Sequence, residues 1–184
     1  MKGSIFVERV PLVDKVLHEH GFSDYKWIRP SDVPVSQWVR VKCMYGCPDY
    51  GRNASCPPNV PSVSECSRFL AEYEKAVLIH LFCDSTLDGM REWVVRNQKE
   101  LLKVEKTIFV EGMEKAFLLS FDNCNLCGTC AGNVVECRFP YMRRPTMEAF
   151  GIEVFTLVKM LGYGISVKKD TKESTDRFAL LLVQ

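Results

Sequence analysis

The stretch AVLIHLFC, residues 76–83, is a near-continuous apolar run that opens with four uninterrupted apolar residues. A run of this length that is bounded by polar residues predicts a central β-strand with both faces buried. Apolar runs this short cannot span a bilayer. The run therefore places a β-sheet at the centre of the fold.

Predicted helices and strands follow one another on both sides of this run. Amphipathic patterns predict helices at residues 11–20, 63–75, 89–110 and 146–161. Alternating or apolar patterns predict strands at 37–43, 116–121, 165–168 and 178–183. Residues 44–61 and 123–145 are rich in turn residues and predict loops. We expect an α/β or α+β fold, a single sandwich of a mixed sheet with helices, with two cysteine-rich cluster-binding loops inserted after strands. If those strands run parallel, both loops lie on the same edge of the sheet.

Length, charge and composition limit the class of protein. The 184 residues fit a single domain that spans residues 1–184. Lys and Arg number 24 against 23 Asp and Glu, which excludes a strongly basic nucleic-acid binder, and 47% hydrophobic residues exclude a disordered chain. Glu8 stands where a secretory signal would continue its apolar stretch. We therefore expect a cytoplasmic protein without nucleic-acid or membrane partners.

Cysteine is the most informative residue type in this chain. Nine cysteines, an odd number, argue against a disulfide framework, and a reducing cytoplasm would keep the thiols free for metal or redox chemistry. Most of them fall into two groups. The first group is Cys43, Cys47 and Cys56, and the second is Cys124, Cys127, Cys130 and Cys137.

The second group has the spacing of a cluster-binding loop. Cys124, Cys127 and Cys130 are three residues apart, and Cys137 supplies a more distant fourth thiol. Ferredoxin-type 4Fe–4S sites use this arrangement, although the last interval is longer here. Two alternatives are a structural zinc site with four thiolates and a redox Cys-x-x-Cys pair at Cys124 and Cys127. The sequence predicts one 4Fe–4S cluster at this loop.

The first group predicts a second cluster. Its three cysteines lie in a turn-rich loop, and proline follows both Cys47 and Cys56, as it often does at cluster ligands. Cys66 is the nearest candidate for a fourth ligand, and the alternative is that it fills the apolar stripe of a helix. Cys83 is the next candidate, with a buried strand thiol as its alternative.

Two segments resemble a known family. The first, residues 40–58, contains Cys-x3-Cys-x8-Cys-Pro-Pro. The second, residues 124–154, contains Cys-x2-Cys-x2-Cys-x6-Cys followed by Arg-Pro-Thr-Met-Glu-Ala at 144–149. In these motifs the chain is similar to the predicted metal-binding proteins of bacteria and archaea, a cysteine-rich domain of unknown function. The resemblance implies metal binding through the matched cysteines and implies no particular reaction.

The leading functional hypothesis is an iron–sulfur protein with one 4Fe–4S cluster at the second cysteine group and a candidate second cluster at the first. Four thiolates leave no open iron, which favours electron transfer or an accessory role beside a redox or metalloenzyme partner protein. Three thiolates would leave one iron open and would suit an enzyme or a sulfur or cluster carrier. A zinc-stabilised binding module and a thiol–disulfide oxidoreductase are the alternatives from other classes.

Overall fold

The structure, a computed structural model, describes residues 4–83, 87–165 and 175–184. Its helices are α1 (Ser4–Glu19), α2 (Gln37–Gly46), α3 (Val63–Leu70), α4 (Leu87–Val110) and α5 (Val154–Met160). Its strands are β1 (Tyr25–Ile28), β2 (Ala76–Cys83), β3 (Phe117–Leu119) and β4 (Thr175–Leu182). Short 3-10 turns lie at Pro30–Asp32 and Glu148–Phe150.

The strands form one sheet in the order β1-β2-β4-β3, and every pairing in the described part is antiparallel. β2 pairs with β4 along its whole length, from Ala76 opposite Leu182 to Cys83 opposite Thr175. The α+β expectation is confirmed, and the sheet is antiparallel rather than mixed. A continuous apolar run usually indicates a parallel strand, but here an antiparallel central strand is covered on both faces.

Helices pack on both faces of β2. On one face Val77 and Ile79 pack in a core with Leu17 of α1 and Leu101 of α4. On the other face Leu78 packs in a second core with residues of α3 and α5. Because successive side chains of a strand point to opposite faces, residues 76–79 are all apolar and fully buried.

The predicted strand at 37–43 is wrong, because these residues form helix α2. Val39 is 8% exposed, whereas Val41 of the same alternating set is 44% exposed. The helix places Val39 and Cys43, four residues apart, on one face, and both line the same pocket. The first cysteine loop therefore follows a helix, while the second follows strand β3 as expected.

Other predicted elements differ in their ends. β1 was not predicted, and the predicted helix at 63–75 ends at Leu70. The predicted helix at 146–161 is divided at Gly151, where φ is +80° and an added Cβ would lie 3.1 Å from the Val63 side chain. Beyond Ile165, the predicted strand at 165–168 falls outside the described residues.

The segment around this glycine connects the regions that carry the two loops. Ile152 forms a β-bridge with Val35, just before α2, and Thr146 forms one with Ser120, just after β3. These bridges bring the two cysteine loops together, although the strands of the described sheet are not parallel to one another. Among the residues that the structure describes, no helix combines the length and apolarity needed to cross a membrane.

Candidate metal centre

Helix α2 and a series of turns bring the first three cysteines together. Cys43 lies in the last turn of α2, and the amide of Cys47 caps that helix by donating to the Cys43 carbonyl at 3.1 Å. The chain then folds back, with the Gly51 amide donating to the Pro57 carbonyl at 2.8 Å. Burial raises the pKa of Cys43, the neighbouring Cys47 raises it further, and all three cysteines, including Cys56, line one pocket.

The four cysteines of the second loop also lie near one another. Burial raises the pKa of Cys124, and the neighbouring Cys127, Cys130 and Cys137 raise it further. The loop that holds them is irregular and only partly exposed at these positions. Three thiols of this loop therefore lie close enough to the fourth, Cys124, for their charges to act on it.

A buried glutamine of α4 fixes the start of this second loop. Gln98 is 5% exposed, and its amide nitrogen donates to the carbonyls of Asn123 at 2.7 Å and Asp122 at 3.2 Å. Its amide oxygen accepts from the backbone of Asn125 at 3.2 Å. Gln98 thus satisfies loop groups that a buried position would otherwise leave unpaired. No cysteine motif indicates this residue, and its only sequence signal is a polar side chain within an apolar helix pattern.

An ion pair fixes the far end of the same loop. Nε of Arg144 lies 2.9 Å from both carboxylate oxygens of Glu105, a residue of α4 that is 4% exposed. Glu105 also accepts the backbone N–H of Leu118 in β3 at 3.0 Å. The loop is therefore attached at both ends to the sheet and its longest helix.

The two loops contact each other directly. Buried Asn53 donates to the Cys124 carbonyl at 3.1 Å, and Asn59 donates to the Gly132 carbonyl at 2.9 Å. The backbone amide of Ala54 points to the sulfur of Cys130 at 3.4 Å. Amide donors to cysteine sulfur are a recognised means of tuning metal–thiolate centres. Six of the eight cysteines predicted as ligands therefore lie in two adjoining loops, and a seventh, Cys43, lies in the helical turn that precedes the first loop.

The eighth, Cys66, lies elsewhere. It is fully buried on α3 within the core on the second face of the sheet, and its thiol points to the Pro61 carbonyl at 3.6 Å. This placement matches the alternative in which Cys66 fills a helix stripe, and its role as a ligand remains a prediction. Cys83 is also fully buried, with its sulfur 3.5 Å from that of Met90.

The first group of thiols faces a pocket of about 730 Å³. Asp122 at the end of the strand β3 region, Glu148 of the 3-10 turn and Arg177 of β4 also line it. Burial raises the pKa of Asp122, and the charge of Arg177 opposes this change. Enclosure by protein likewise raises the pKa of Glu148, although its side chain keeps contact with solvent.

A comparison with protein families tests the interpretation of these loops. Residues 26–183 match the model of a family described as predicted metal-binding protein (DUF2284). The chain belongs to this family. The match includes both cysteine loops and all four strands. No protein of curated function and no solved structure matches the chain.

The thiols of this DUF2284 protein are available as metal donors. All nine cysteines are free thiols; six of them lie in the two adjoining loops, and Cys43 lies in the last turn of α2. In the described part of the chain, no three His, Cys, Asp or Glu side chains are grouped to hold a single metal ion. Burial and nearby Asp49 raise the pKa of Cys56 to about 12, so metal uptake must release a proton from that thiol.

Proposed function

We propose that this DUF2284 protein is an iron–sulfur protein in which Cys124, Cys127, Cys130 and Cys137 hold a 4Fe–4S cluster. The observation that carries the proposal is that one loop holds four free thiols, three of which, Cys127, Cys130 and Cys137, lie close enough for their charges to raise the pKa of Cys124. Thiolate-only donor sets are typical of such clusters. A cluster with four protein thiolates would supply one-electron transfer rather than substrate binding at iron.

The protein around this loop supports a redox role. The Ala54 amide beside Cys130 would stabilise negative charge on that sulfur, and Asn53 holds the Cys124 backbone in place. Cys127 and Cys130 are partly exposed, so a partner could approach this loop closely. Electrons would come from, or pass to, a redox or metalloenzyme partner protein.

The first group supports a second candidate function. Cys43, Cys47 and Cys56 line a pocket of about 730 Å³, while Cys66, the predicted fourth ligand, is buried in the core. A cluster held by only these three thiolates would leave one iron for a small molecule in the pocket. Ala54 lies two residues before Cys56 and also contacts Cys130, so a short path through the chain connects the two groups. The second candidate is therefore an enzyme whose pocket site receives electrons from the second loop.

Metal analysis of anaerobically purified protein tests both candidates. About four iron and four sulfide per chain are expected for one cluster, and about eight of each for two. Cys127→Ala should remove one set of four, and Cys56→Ala should remove the other if the first group also binds a cluster. Cys83→Ala is the matched control, because it removes a fully buried thiol that belongs to neither cysteine group and contacts Met90.

Each contrary result has a definite meaning. A colourless protein that contains zinc without sulfide would replace the redox proposal with a zinc-stabilised binding module. A metal-free protein with a reactive dithiol would support an oxidoreductase. A Cys66→Ala variant that keeps its full iron content would remove Cys66 from the ligand set.

A further inference from the structure

We propose that the pocket beside Cys43, Cys47 and Cys56 binds a small organic molecule that carries a positively charged amine. This inference deepens the proposed function, because it gives the ligand class for the three-thiol site. It rests on the size, the apolar walls and the charge balance of the pocket.

The size and walls of the pocket suit an organic molecule. A volume of about 730 Å³ lies within the range of roughly 300–1,000 Å³ that is typical of small-molecule sites. Apolar side chains from separate parts of the chain form much of the wall: Trp38, Phe121, Ile152, Val154 and Phe155. Such a wall buries a hydrocarbon body, while a few polar groups fix its orientation.

The charged groups of the pocket favour a cation. Four carboxylates line it, those of Asp49, Asp122, Glu148 and Glu153, against two cations, Lys42 and Arg177. Since opposite charges attract most strongly where water is excluded, the wall as a whole attracts a cation and repels an anion.

The hydrogen bonds identify which carboxylate is available. Glu153 accepts from the side chains of Ser36, Trp38 and Thr156, so its oxygens are already occupied. Glu148 forms no ion pair within the described residues, and its side chain is open to the pocket. It is therefore the best-placed counter-ion for an amine.

Arg177 does not reverse this preference. Its Nε is buried and lacks a hydrogen-bond partner in the described part of the chain. Its positive charge opposes the rise in pKa of both Asp122 and Glu148, so one guanidinium lies near two acidic side chains. An amine that enters the pocket would supply the missing positive charge, whereas a carboxylate would compete with both acids for Arg177.

Matched probes of opposite charge test the inference on anaerobically purified protein with its native metal content. The probes are 2-phenylethylammonium and 3-phenylpropanoate, which share a ring and a short chain. Saturation-transfer NMR and titration give the two dissociation constants. The amine should bind at least about tenfold more tightly, since a charge-assisted contact at a desolvated site is worth a factor of this size.

Variants connect the binding to the pocket. Glu148→Gln should weaken amine binding about tenfold, and Asp122→Asn provides a second test if the first variant folds poorly. Glu92→Gln is the matched control, because Glu92 is exposed on α4 and does not line this pocket. Binding by the amine should be unchanged in that control.

Three results would overturn the inference: equal or tighter binding of the carboxylate, absence of amine binding at millimolar concentration, or amine affinity in both Glu148→Gln and Asp122→Asn equal to that of the unaltered protein. Iron and sulfide are measured in every sample. Protein that lacks iron but still binds the amine would contradict the proposed function and support the pocket. Protein that contains iron but does not bind the amine would support the proposed function and contradict the inference about the pocket.

Discussion

Replacing Arg144 with leucine should destabilise the protein far more than the loss of an ordinary surface ion pair. Glu105 is 4% exposed, and both of its carboxylate oxygens lie 2.9 Å from Nε of Arg144. The Arg144→Leu variant leaves this buried carboxylate without its cation. Breaking a buried pair from one side costs about 3–5 kcal/mol. We expect about 3 kcal/mol, because the backbone N–H of Leu118 still donates to Glu105.

The exposed pair of Lys103 and Glu100 provides the control. Nζ of Lys103 lies 2.7 Å from Oε1 of Glu100, but the lysine side chain is 60% exposed. Exposed pairs contribute about 0–1 kcal/mol, so Lys103→Leu should change stability by less than 1 kcal/mol. The assay is urea unfolding followed by circular dichroism, with samples matched for metal content.

A double variant separates the charge from the packing. If the cost comes from an unpaired buried carboxylate, Glu105→Leu combined with Arg144→Leu should recover part of the stability lost in Arg144→Leu. Equal costs for Arg144→Leu and Lys103→Leu would refute the reasoning. A double variant that is less stable than Arg144→Leu by a further 3 kcal/mol or so would point to packing instead.

Three further predictions concern the loop, the turn and the acid response. Gln98→Ala should cost about 1–3 kcal/mol, because it leaves loop backbone groups unpaired, and it should lower the iron content of the second loop. Gly151→Ala should cost about 1–2 kcal/mol by urea unfolding, because φ is +80° and the added Cβ would press on Val63. Despite opposing desolvation, hydrogen bonds with His80 and Tyr163 hold the pKa of Asp24 below its usual value. The stabilisation that ionised Asp24 provides is therefore present above the unfolded pKa of about 4 and is lost as pH falls through the lower folded value. Asp24→Asn should therefore flatten this part of the stability–pH curve.

Where the sequence carried a strong local signal, its predictions agree with the structure. The run at 76–83 is strand β2 with the predicted ends, and its first four residues, which are buried on both faces, are all apolar. The long amphipathic pattern before residue 110 is helix α4. The short pattern at 37–43 predicted a strand where the structure has helix α2. Seven residues that alternate as a strand also place Val39 and Cys43 on one helix face, so the pattern does not distinguish the two.

The sequence by itself determined the type of donor at the site: two groups of closely spaced cysteines, free of a disulfide framework, in turn-rich loops. The spacing determines the type of donor, because cysteines that are separated by only a few residues of chain cannot lie far apart in space. Only the tertiary structure decided that the two loops adjoin, that Gln98 and Glu105 hold the second loop, and that the first group faces a charged pocket. Those relations depend on packing between residues far apart in the chain, such as the contact of Ala54 with Cys130, and no local pattern specifies such contacts.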